Sequence, residues 1–95
     1  MDKKEEYRKK VEAQLQEWKT KIDSLETRGA KFTSDAKTEL LREIEELRKK
    51  KGVVKDKWSE LQKVSGDSWD TMKDGVEKAA AELKSALDRV ISRFK

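Results

Sequence analysis

Apolar residues recur at steps of three and four along almost the whole of this chain: Tyr7, Val11, Leu15, Trp18, Ile22, Leu25, then Phe32, Ala36, Leu40, Ile44, Leu47, Val54, Trp58, Leu61, and finally Trp69, Met72, Val76, Leu83, Leu87, Val90 and Phe94. That spacing belongs to one face of an α-helix and not to a strand, whose side chains alternate at every second residue. A greasy stripe of this length must lie against another helix, in the same chain or in another. The predicted class is therefore all-α, an elongated antiparallel coiled-coil or three-helix bundle. A second chain completing the stripe as a swapped dimer is the alternative.

Composition pulls the other way and is outweighed. Charged residues make up 46% of the 95 residues and hydrophobic ones only 34%, values that border on disordered and coiled-coil compositions. A disordered chain has no reason to hold Leu, Ile, Val and Trp on one face for so many turns. Ninety-five residues correspond to a single helical domain spanning 1–95.

Proline is absent, so breaks must be read from glycines and capping residues. Ser65-Gly66-Asp67-Ser68 is the clearest turn, with Asp67 or Ser68 placed to cap the last helix. Gly29 follows Arg28 as a C-terminal cap would, and Thr33, Ser34 or Asp35 stands ready to cap a second helix. At Gly52 the heptad phase of Leu47, Val54, Trp58 and Leu61 runs straight through, which favours an unbroken helix. These marks predict helices near 3–28, 34–64 and 68–94, or the first two joined as one continuous helix.

Histidine and cysteine are both missing, which removes imidazole acid–base chemistry, thiol nucleophiles and the usual zinc and iron–sulfur ligand sets. The carboxylates Glu43, Glu45 and Glu46 read as a solvated face, since bundle-core metal sites rely on a Glu-x-x-His pattern. No phosphate loop or nucleophile elbow is present. The expectation is a protein that is not an enzyme, takes no cofactor or metal and has no small-molecule substrate. No apolar h-region follows Met1-Asp2-Lys3-Lys4-Glu5-Glu6, so the expected location is the cytoplasm.

Two groups of residues are candidates for contact with partners. Trp58 and Trp69, beside the second turn, are the candidate interaction anchors; on the stripe they read first as core residues filling volume at helix crossings. Arg48, Lys49, Lys50, Lys51, Lys55 and Lys57 form a weak basic patch, simplest as a solvated helix face and otherwise a surface for an anionic partner. The net charge is only +4, so nucleic acid is not the expected partner. A lipid surface is the rival. The last segment has the apolar area of an interfacial helix, but Asp70, Asp74, Glu77, Glu82 and Asp88 balance its cations, whereas anionic lipids favour a basic surplus. The expected role is non-enzymatic, a coiled-coil interaction or scaffold protein that associates with itself or with another protein. Amphipathic binding to anionic lipid is the alternative.

Four stretches, Glu17-Trp18-Lys19-Thr20-Lys21-Ile22-Asp23-Ser24-Leu25, Glu43-Ile44-Glu45-Glu46-Leu47-Arg48, Ser65-Gly66-Asp67-Ser68-Trp69-Asp70 and Ser92-Arg93-Phe94-Lys95, carry a likeness beyond pattern. In that order the chain resembles a family of small bacterial coiled-coil proteins, cyanobacterial ones included, largely uncharacterised and loosely labelled as stress-response proteins. The resemblance implies a stress-linked role and brings no catalytic or binding residues with it. The chain departs from the family pattern at Gly29-Ala30-Lys31-Phe32-Thr33-Ser34, where relatives read as continuous helix, and at Gly52-Val53-Val54, where they tend to be charged.

Overall fold

The computed structural model describes residues 3–94, which form three helices and no strand: α1 (Lys3–Gly29), α2 (Ser34–Leu61) and α3 (Ser68–Arg93). Short connections send the chain up, down and up again. Tyr7 near the start of α1 lies against Trp58 at the end of α2 and Trp69 at the start of α3. At the opposite end Phe32 stacks on Phe94 with ring centroids 5.9 Å apart. α2 is thus antiparallel to both neighbours, and α1 runs parallel to α3. The bundle measures 52 × 21 × 18 Å.

The stripe is covered from within one chain. Ile44 is 1% exposed and Leu61 and Leu83 0%, while Leu15 is half-buried. The larger part of the core runs from Trp18, Ile22 and Leu25 through Leu40, Ile44, Leu47 and Val54 to Leu83, Leu87 and Val90. A smaller part at the aromatic end joins Tyr7, Val11, Trp58, Leu61 and Val76. Leu15 packs against both and makes them continuous. Ala79, Ala80 and Ala86 are buried on α3, small residues in the cluster that also holds the bulky Trp18. No polar or charged side chain is buried among the described residues.

The chain turns back after Gly29, so α1 and α2 are separate helices rather than one continuous helix. Gly29 acts differently from the expected left-handed cap. The only glycine with positive φ among the described residues is Gly66, at 70°. Gly29 is buried, and a Cβ there would stand 2.8 Å from Leu40 Cδ2, so its role is to let α1 approach α2. α2 runs through Gly52 without interruption and stops at Leu61, three residues before the expected end. Lys63 and Val64 there donate their N–H groups to the Glu60 and Leu61 carbonyls, tightening the final turn. The expected side-chain caps are not made: neither Thr33 nor Asp67 bonds a free N–H of its helix.

Ion pairs four residues apart join Lys21 to Glu17 at 3.0 Å and Lys78 to Asp74 at 3.3 Å. Three residues apart, Glu46 meets Lys49 and Glu5 meets Arg8. Arg93 of α3 reaches across to Glu39 of α2.

Candidate interaction surfaces

The three aromatic rings at one end of the bundle come from three different helices. Tyr7 meets Trp58 edge-on at 5.8 Å and 62°, and Trp69 at 5.7 Å and 75°. Edge-to-face contact sets the positive rim of one ring against the negative face of another. Lysines complete the group. The Lys73 ammonium lies 5.0 Å from the Tyr7 ring and 5.5 Å from Trp69, and that of Lys4 lies 5.7 Å from Trp69. A cation over a π-face is attracted by the ring quadrupole. Lys10 sits 6.0 Å from Tyr7 and 4.0 Å from the Glu77 carboxylate of α3.

Burial pushes the Tyr7 phenol well above the ordinary tyrosine range, and the neighbouring Glu77 carboxylate adds to this by opposing a second negative charge. Tyr7 is therefore a neutral hub at ordinary pH. The spacing placed it on the stripe but gave no sign that it joins all three helices.

The two candidate anchors differ in exposure. Trp58 is buried, at 8%, whereas Trp69 is half-buried. Both line an open notch of about 250 Å³ together with the apolar Leu61 and Val64 and the charged Lys4, Glu5 and Arg8. The aromatic end thus combines packing inside with a partly open indole outside.

The basic stretch does not form one face. Successive helical residues point about 100° apart, so its members turn to different neighbours. Arg48 crosses to α1, donating to Glu26 at 3.1 Å and Asp23 at 3.3 Å. Those carboxylates hold its guanidinium more firmly charged, while hydrogen bonds from Lys19 and then Arg48 hold the Asp23 carboxyl below its usual range. Lys49 pairs with Glu46 at 3.7 Å. Lys50 turns toward α3 and lines a groove with Glu43, Glu46, Arg89 and Arg93. Lys51 and Lys55 face α1 beside Lys19 and Gln16. Burial lowers the Lys51 pKa, and the Lys19 cation lowers it further. Lys57 is exposed.

Glu45 and Glu46 are exposed and Glu43 is half-buried; among the described residues no three metal-ligating side chains gather. On α3, Val76, Leu83, Leu87, Val90 and Phe94 face the bundle interior, with Trp69, Met72 and Ile91 half-buried. The apolar face that an interfacial helix would offer to lipid is occupied by the other two helices. No helix among the described residues is long and apolar enough to cross a membrane.

The three helices are not equally joined. α2 packs closely along α1 and along α3, whereas the backbones of α1 and α3 hardly approach one another. Long side chains span that seam, among them Tyr7 against Trp69 and Lys10 against Glu77.

Fold and surface together define a self-contained helical bundle with one aromatic, lysine-rimmed end. No family model, no curated protein and no solved structure matches the chain.

Proposed function

We propose that this chain is a non-enzymatic coiled-coil interaction protein, a scaffold whose first partner is a second copy of itself. The observation behind this reading is the uneven holding of α1, whose backbone packs closely on α2 but hardly approaches that of α3, although side chains of all three helices share the core. A helix held chiefly along one flank is the easiest for a helix of like pattern to replace. Both carry an apolar ridge of the same spacing, and ridge-into-groove packing selects for spacing and volume.

A bacterial setting and a link to stress enter this reading through sequence resemblance alone. Most of the bundle's apolar residues are engaged internally, with Leu41 and Val53 the exposed large ones among the described residues, which supports association by helix packing over binding to lipid.

Light scattering from micromolar to millimolar concentration tests the proposal. The mass is expected to rise from the 11.1 kDa of one chain toward twice that value. A mass fixed at one chain throughout overturns it.

A further inference from the structure

We infer that two copies associate by exchanging α1, with Thr33 as a single-residue hinge. This rests on the self-association proposed above and specifies its route. The connection between α1 and α2 is nearly helical already. Ala30, Lys31 and Phe32 donate their N–H groups to the carbonyls of Thr27, Arg28 and Gly29, continuing the winding of α1 in tighter three-residue turns. On the far side, Lys37 N–H donates to Thr33 O at 2.8 Å, so the first bond of α2 begins at Thr33 itself.

Between these two runs Thr33 has φ −66° and ψ 164°. Its φ is already helical; a rotation of about 150° in ψ alone would bring it to the α conformation. The main local contact opposing that rotation is the stack of Phe32 on Phe94. Thr33 makes no side-chain cap bond, and no residue of the turn is left-handed or proline. Ala30, Lys31, Thr33 and Ser34 are exposed, and Phe32 is the one half-buried residue between the two helices.

Straightening the hinge joins α1 and α2 into one helix covering 3–61, about 90 Å long at 1.5 Å per residue. Two such rods lying antiparallel place α1 of each copy beside α2 of the other in the same relative direction as in the folded-back chain. α3, still folded on its own α2, then runs parallel to the incoming α1, as it does now. Every interface of the single bundle is rebuilt twice. The turn residues gain helical hydrogen bonds; α1 must leave both its own α2 and its own α3 on the way, and both contacts re-form between the copies.

The test compares the wild-type chain with Ser34→Pro and Thr33→Ala by light scattering and sedimentation. Ser34 is the first residue of α2, where proline is well tolerated, and Thr33 before it already holds the extended conformation that a following proline demands. Ser34→Pro therefore fits the folded-back chain, but in a continuous helix it removes a hydrogen bond and clashes with the preceding turn. It is expected to weaken dimerisation by at least about 100-fold while the monomer keeps its helicity and cooperative melting. Thr33→Ala favours helix at the hinge and should strengthen dimerisation roughly tenfold, through one propensity gain in each chain.

Dimers of equal strength in all three proteins would overturn the exchange route and leave self-association standing. A wild-type chain that stays monomeric at every concentration removes both. Should Ser34→Pro fail to fold, an unchanged dimer affinity in Thr33→Ala still overturns the hinge.

Discussion

Gly29 and Leu40 approach so closely that a Cβ on the glycine would lie 2.8 Å from Leu40 Cδ2. Leu40 is 0% exposed and packed within the larger core, so a shift of its side chain disturbs its neighbours. Gly29→Ala should therefore lower stability by a net of about 1 kcal/mol, overpacking outweighing the alanine's gain in helix propensity. Urea denaturation with an unchanged slope and a lower midpoint is the expected result.

Gly52 and Gly75 behave in the opposite way. Each lies inside a helix, and a Cβ at either position would meet nothing within 4 Å. Gly52→Ala and Gly75→Ala should each raise stability by about 0.5–1 kcal/mol, and the two effects should add. The sign contrast with Gly29→Ala under identical conditions is the sharper result.

Leu83 is 0% exposed in the larger core, beside alanines that cannot expand to fill a void. Leu83→Ala should cost about 2–5 kcal/mol, from lost apolar transfer and the cavity left behind. A change below about 1 kcal/mol would show that the site is wetter or softer than close packing allows.

Tyr7 gives a pH prediction. Its phenol is pushed above the ordinary range by burial and by Glu77, so the folded chain holds the proton at a pH where the unfolded chain releases it. Its contribution to stability is complete below about pH 10, the unperturbed tyrosine value, and is lost as pH climbs through the higher folded value. Ultraviolet titration of the folded chain should place phenolate formation well above that of free tyrosine. Glu77→Gln should bring it partway back.

The helices were legible because repeated steps of three and four leave one stripe, and three stripes of similar length can cover one another. The turn at Ser65–Ser68 was legible too, since Gly66 takes the left-handed φ for which glycine is suited. The turn at Gly29 stayed open because the glycine serves a close approach to Leu40, eleven positions further on, which no local pattern records, while the reversal itself falls at the extended Thr33. The lysines near residue 50 looked like a patch in linear order. A helix instead sends Arg48, Lys51 and Lys55 toward α1, where Glu26 and Asp23 take up Arg48, and sends Lys50 toward α3. Tyr7 gave no warning of its role, because its contact with Trp69 depends on the parallel pairing of α1 and α3.

Small-angle X-ray scattering on dilute chain tests most directly whether one copy buries its own apolar ridge. The folded-back bundle predicts the mass of a single 11.1 kDa chain and a radius of gyration near 15.5 Å. A value near 31 Å, expected for an unfolded chain of this length, would contradict it. So would the profile of a single rod about 90 Å long at that same monomeric mass.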